Sequence, residues 1–303
     1  MSRSGADPAE SRPIRLGLHA LGIGSGARRE VIDAVADAAE AQGFATLWAG
    51  EHVVMVDAPS SRYPYAADGR IAVPADADWL DPLIALSFAA AATRTIRLAT
   101  GVLLLPEHNP VALAKRAASL DVLCGGRLTL GIGVGWSREE FEALGIPFAA
   151  RGRRTDEYIA VMRTLWRDDV ASFDGAFSSF HEVRVNPRPA RERRIPIVVG
   201  GNSEAALRRA ARLGDGWYGF NLAGADEVRE RVQRLHELCR QADRDPAQLE
   251  VSVALAGERV DPAQLAALGV DELVLVDAPP ADAAQAAGWL SRLRAAAGVG
   301  AAA

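Results

Sequence analysis

Cysteine is scarce: Cys124 and Cys239 are the only two in 303 residues, and they form no C-x-x-C pair. That excludes a disulfide framework or a zinc ribbon and leaves two small buried groups in a reducing compartment. Lysine is rarer still, with Lys115 alone among 34 basic residues. The 39 acidic residues outnumber these for a net charge of -5, and no basic run occurs, which excludes nucleic acid as the main partner. No apolar run approaches the ~20 residues of a helical membrane span. Residues 1–13 (MSRSGADPAESRP) lack the apolar core of a signal peptide, so a flexible N-terminal arm and a cytoplasmic protein are expected. H-E-x-x-H spacing, the G-x-S-x-G elbow and the P-loop are all missing, so neither a metal site nor a nucleophilic triad is expected.

What is present is an ordinary globular composition, 49% hydrophobic and 24% charged. A chain this long buries roughly three quarters of its unfolded surface. Apolar strand-like runs at 14–21, 46–50, 95–105, 127–135, 195–201, 215–220, 249–257 and 272–278 alternate with helical patterns. The helices carry their own stops and caps: Gly43 ends the first, Asp81-Pro82 opens the second and Asn109-Pro110 the third. Eight such units with near-continuous apolar strands and no linker predict one (β/α)₈ barrel over 14–298. The surplus length is a Pro-rich lid at about 51–80, after the second strand, and an aromatic hairpin around Asp174-Gly175, before the fifth.

A barrel of this kind carries its chemistry at the carboxyl ends of its strands. The sequence places His19 after the first strand, Glu51-His52 after the second, and Gly101-Val102 on the third. Gly133 and Trp136 end the fourth, Gly200-Gly201-Asn202 end the fifth, and Asp215-Gly216-Trp217-Tyr218 end the sixth. Glycine density at successive strand ends suits close approach of something flat or phosphorylated. Gly200, Gly201 and Asn202 open a helix and can cradle a phosphate or simply make a tight turn. His52, beside Glu51 and before the lid, is the acid–base candidate. His19 is a strand-end or wall residue, His108 a turn residue, and His181 and His236 lie on the hairpin and a polar helix face. Trp48, Trp166 and Trp289 read as core, Trp136 and Trp217 as pocket, and the carboxylates as solvated charge on helices. G-I-G-S-G-A at 22–27 also fits a dinucleotide fingerprint, which keeps a Rossmann-type NAD(P) enzyme as an alternative.

Several long segments resemble the luciferase-like monooxygenases: 99–136 (ATGVLLLPEHNPVALAKRAASLDVLCGGRLTLGIGVGW), IPIVVGGNS at 195–203 and LGDGW at 213–217. GEHVV at 50–54, YPY at 63–65 and RGRRTDE at 151–157 resemble an actinobacterial branch of F420-dependent oxidoreductases. The resemblance implies a barrel binding the deazaflavin F420, or alternatively FMN, at its strand ends. It maps a non-proline cis peptide supporting the ring to Gly101-Val102, and the phosphate site to Gly200-Gly201 and the segment around Gly216. His52 matches the proton acceptor of deazaflavin sugar-phosphate dehydrogenases, with Glu51 in place of an aspartate beside it. That branch has a glutamate where this chain has Trp136, which argues against a sugar phosphate and for a more apolar, aromatic pocket. The implied function is hydride transfer between F420 and a small organic substrate, with Tyr63 and Tyr65 on the lid. The alternatives are an FMN monooxygenase using FMNH₂ and oxygen, and a barrel that binds deazaflavin without turnover. Such proteins also pair into homodimers.

Overall fold

The structure, a computed structural model, describes residues 13–257 and 259–298. The expected arm at 1–13 therefore lies outside the described residues apart from Pro13. The strands are β1 (Arg15–Leu21), β2 (Thr46–Ala49), β3 (Arg97–Thr100), β4 (Leu103–Leu104), β5 (Leu128–Gly133), β6 (Ala171–Asp174), β7 (Ser179–Val183), β8 (Ile197–Gly200), β9 (Gly216–Leu222), β10 (Glu250–Leu255) and β11 (Glu272–Val276). The helices are α1 (Arg29–Ala41), α2 (Pro82–Ala92), α3 (Pro110–Leu123), α4 (Arg138–Ala143), α5 (Arg151–Arg167), α6 (Glu204–Leu213), α7 (Ala225–Gln241), α8 (Pro262–Ala267) and α9 (Ala286–Ala296).

Outside the β6–β7 hairpin and one isolated antiparallel bridge between Ile23 and Trp79, all described pairings are parallel, and the sheet closes on itself: β1 pairs with both β2 and β11, and β3 pairs with β5. β3 and β4 are one barrel strand interrupted at Gly101-Val102, which gives eight staves. Closure excludes the Rossmann alternative. The G-I-G-S-G-A segment forms a short 3₁₀ turn instead, and a Cβ at Gly26 would lie 2.3 Å from the Ala20 carbonyl oxygen.

Local sequence accounts for the helix ends. Asp81 accepts hydrogen bonds from the Leu83 and Ile84 amides, Asn109 accepts from those of Val111 and Ala112, and Gly43 at φ 73° ends the turn after α1. Two apolar layers result, one between barrel and helices and one inside the barrel. The inner layer is Trp48, Ala99, Val198, Tyr218, Ala254 and Val274, with Trp48 stacked on Tyr218 at 4.7 Å. Gly17 makes room for the indole, since a Cβ there would stand 2.9 Å from Trp48 Nε1. Trp48, Trp166 and Trp289 are buried, as are both cysteines. No described helix is long and apolar enough to cross a membrane.

Candidate active site

A cavity of about 410 Å³ opens over the carboxyl ends of the strands. Its walls gather residues far apart in sequence: His19 from β1, Gly50 and His52 after β2, Gly101 and Val102 from the third stave, Trp136 after β5, Gly200 and Gly201 from β8, and Tyr218 and Phe220 from β9. The lid adds Tyr63, Tyr65 and Trp79. Tyr63 packs edge-on against Tyr65 at 5.4 Å and Trp136 at 5.3 Å, which ties the lid to the end of β5. Among the described residues no lysine or arginine lines the cavity. Asp277, at its rim, already accepts hydrogen bonds from Trp289 Nε1 and the Ala278 amide.

His52 is held on three sides. Its Nδ1 lies 2.8 Å from Glu140 Oε2, and its ring meets Trp79 and Trp136 edge-on at 4.9 and 5.8 Å. Glu140 also accepts from the Val53 and Val54 amides, so it acts as acceptor for the whole turn. The Nδ1 proton therefore belongs to the Glu140 hydrogen bond, and Nε2 has no hydrogen-bond partner among the described residues. That is the arrangement of a general base or, once protonated, a general acid.

Glu51 lines the cavity, but its carboxylate is occupied: it accepts from the Leu104 amide at 2.6 Å and lies 3.0 Å from His108 Nε2, so it fastens the third stave. His108 stands at the expected turn, but its imidazole belongs to this buried pair. The reading of the carboxylates as solvated helix charge also fails here: Glu51, Glu107 and Glu140 are all buried. Neither oxygen of Glu107 has a hydrogen-bond partner among the described residues. Burial, reinforced by the charges of Glu140 and Glu51, pushes its carboxyl up to about 9.

Gly216 and Trp217 are corrections as well. D-G-W-Y looked like a strand end, but Gly216 is the first residue of β9 and lies at the amino end of the barrel. Asp215 before it accepts from Arg163, Arg194 and the Ile197 amide there. The alternation of a strand then turns Trp217 outward into the helix-facing core, with Nε1 donating to the Gly201 carbonyl at 2.8 Å, and turns Tyr218 inward to the cavity. Gly133 does not line the cavity; it backs Val102, whose Cγ2 would be 2.8 Å from a Cβ there. Period-two reading of 216–222 would have found Tyr218 and Phe220. The only signal for Glu140 was the S-x-x-E box at 137–140, which starts α4.

The Gly101-Val102 peptide is cis. Around it the backbone is bare: a Cβ at Gly50 would lie 3.2 Å from His19 Nε2, one at Gly101 3.1 Å from His19 Cε1, and one at Gly200 2.6 Å from Val102 Cγ1. Gly201, at φ 115°, would bring a Cβ within 3.3 Å of the Tyr65 hydroxyl. Its amide donates to the Tyr218 carbonyl, and the Asn202 side chain pairs with the Phe220 backbone in both directions. The glycine turn is thus rigid, and α6 starts directly behind it with Ser203 as N-cap. A flat ring against Gly101-Val102 with an anionic group near the start of α6 fits this cradle.

Fold and site together define a (β/α)₈ barrel with a cavity at its strand ends that is shaped for a flat molecule. The sequence model of the luciferase-like monooxygenases matches residues 16–258, and the chain belongs to that family. An uncharacterized protein of Mycobacterium tuberculosis is 34% identical over 265 residues, 86% of this chain and 92% of the relative. The FMNH₂-dependent dimethylsulfone monooxygenase of Pseudomonas putida is 32% identical over 145 residues, 47% of this chain and 39% of that enzyme. An F420-dependent secondary alcohol dehydrogenase, solved with an F420–acetone adduct, shares the fold: TM-score 0.71, 17% identity, 94% of this chain and 99% of that one. The protein is an oxidoreductase of this family.

Proposed function

We propose that the protein is an F420-dependent oxidoreductase acting on a small, uncharged, largely apolar organic molecule. The observation that carries this reading is His52, oriented by Glu140 and turned to a cavity with no cationic wall. Hydride transfer to or from a carbonyl, alcohol or activated alkene leaves one proton to be delivered or removed, and the imidazole held by Glu140 is placed to move it. Among the described residues no lysine or arginine offers a counter-ion for a phosphate or carboxylate on the substrate. The aromatic walls of Trp79, Trp136, Tyr63 and Phe220 suit a ring or hydrocarbon surface.

Gly101 and Val102 would hold the tricyclic ring, and Gly200 and Gly201, bare of side chains, would make room for its phosphate beside the Asn202 backbone at the start of α6. When bound, the deazaflavin supplies the carbon that gives or takes the hydride. The protein's own residues orient the partners, exclude water under the lid and move the proton at His52 Nε2. The 32% identity to an FMNH₂-dependent monooxygenase supports a second reading, oxygen chemistry on FMN.

Side-by-side titration of the purified protein with F420 and FMN tests the choice, followed by oxidation of reduced F420 in the presence of ketones and enones. Preferred F420 binding with substrate-dependent oxidation is the expected result, and His52→Ala should lower that rate roughly 10²–10⁴-fold while F420 still binds. FMN preference with oxygen uptake would replace it with the monooxygenase reading. Tight F420 binding without turnover on any substrate, unchanged in His52→Ala, would identify a binding protein.

A further inference from the structure

His52 leaves the other imidazole of the cavity without a task. His19 sits between Gly50 and Gly101, so its ring forms part of the surface on which a flat molecule would lie. Its Nδ1 lies 3.2 Å from the Tyr218 hydroxyl, and it makes no other side-chain hydrogen bond among the described residues. The ring is neutral, because burial without a carboxylate partner pushes it down to about 4. Tyr218 keeps its proton as well: burial holds the phenol well above its ordinary value, and Glu272, Tyr63 and Tyr65 act in the same direction.

A neutral imidazole has one N–H and one lone pair, so the contact with Tyr218 decides which nitrogen faces the cavity. If Nδ1 donated, the phenolic O–H would be left buried without an acceptor. If the phenol donates, its proton and the Nδ1 lone pair satisfy each other. We infer that His19 presents Nε2–H to the cavity as a fixed, uncharged hydrogen-bond donor, with Tyr218 as the positioning residue that sets it. The group it receives is the carbonyl oxygen of a flat ring bound against Gly101. His52 is oriented the other way, with Nδ1 held by Glu140 rather than by a phenol.

The tautomer stands on the contact alone, whereas the carbonyl ligand rests on the proposed function. Nitrogen NMR of the full chain labelled with [¹⁵N]histidine tests the first part, with the His19 signals assigned by their loss in His19→Gln. The expected pattern is a protonated Nε2 and a bare Nδ1 that persist from about pH 8 to about pH 5, becoming a mixture of tautomers in Tyr218→Phe. A protonated Nδ1, or a cationic ring at neutral pH, overturns the inference. This readout needs no cofactor, so it survives failure of the F420 reading.

The second part uses three probes: F420, FMN and, with whichever cofactor binds, cyclohexenone. His19→Leu should weaken at least one of them about tenfold, and His19→Gln, which keeps an N–H at the Nε2 position, should restore most of it. Loss of cofactor affinity assigns the carbonyl to the cofactor ring; a raised KM for cyclohexenone with intact cofactor binding assigns it to the substrate. Unchanged affinity for all three probes in a folded His19→Leu protein overturns the donor role.

Discussion

Three carboxylates lie buried behind His52, and only two of them receive hydrogen bonds. Glu140 collects the His52 ring and two amides, Glu51 takes one amide and His108, and Glu107 takes nothing among the described residues. The folded state therefore keeps a proton on Glu107 up to about pH 9, whereas the unfolded chain releases it near the ordinary 4.5. Because the native state binds the extra proton, stability falls as pH rises through that window. Glu107→Gln preserves shape and cannot ionise. It should melt higher than the parent at about pH 8, by a few degrees, with the gap closing toward about pH 4.5. Thermal unfolding across pH checks this, and a variant that melts lower at pH 8 would mean Glu107 is ionised and paired. None of this was legible in P-E-H-N-P, which reads as a polar turn, because burial of its side chains is decided by residues on β2 and α4. His52 was legible, since a lone histidine at a strand end before a long loop already marks a strand-end site.

At the scale of elements, the six-residue helix α4 does more than its length suggests. Ser137 caps it, Glu140 holds His52, and Glu139 accepts the Ser60 amide, the Ser60 hydroxyl and the Ser61 amide at 2.6–3.0 Å. Those hydroxyl and amide bonds to Ser60 and Ser61 hold the Glu139 carboxyl far below the usual carboxylate range. Adjacent residues of one helix thus fix the His52 imidazole and tie down the 53–78 loop. Glu139→Ala should loosen the lid with little change in melting temperature, since the latch lies outside both cores. Amide exchange over 53–78 should quicken roughly five- to tenfold, and KM should rise more than kcat falls. Equal protection of parent and variant would show that the Tyr63–Trp136 contact alone holds the lid. A helix under two turns long leaves too little periodicity to read, so α4 is not legible in the sequence. The longer helices, with Asp81-Pro82 and Asn109-Pro110 at their starts, announced themselves.

For the whole molecule, the barrel must be closed at the end that carries no chemistry. Arg97 on β3 reaches Glu250 on β10 at 2.8 and 3.0 Å and Glu272 on β11 at 3.4 Å, joining opposite staves across the amino end. Glu272 is fully buried, and burial raises its pKa. Arg97→Met removes the cation and leaves that carboxyl to Ser252 and Thr46. Denaturant unfolding should show a loss of roughly 3 kcal/mol, at the low end for a broken buried pair because Glu250 is partly exposed. A change within about 0.5 kcal/mol would mean Glu272 is simply protonated and needs no partner. By itself the sequence determined the eight-fold alternation, hence the barrel, the lid, the glycine-lined strand ends and His52. These follow from local rules of period, capping and backbone freedom, which neighbours in sequence suffice to express. Only the tertiary structure decided that Glu140 rather than Glu51 orients His52, that Tyr218 rather than Trp217 faces the cavity, and that Gly216 lies at the opposite end from the site. Each depends on where a strand begins in the closed ring and on which distant side chain fills the space beside it, and the register of a closed sheet is set by packing across the whole molecule.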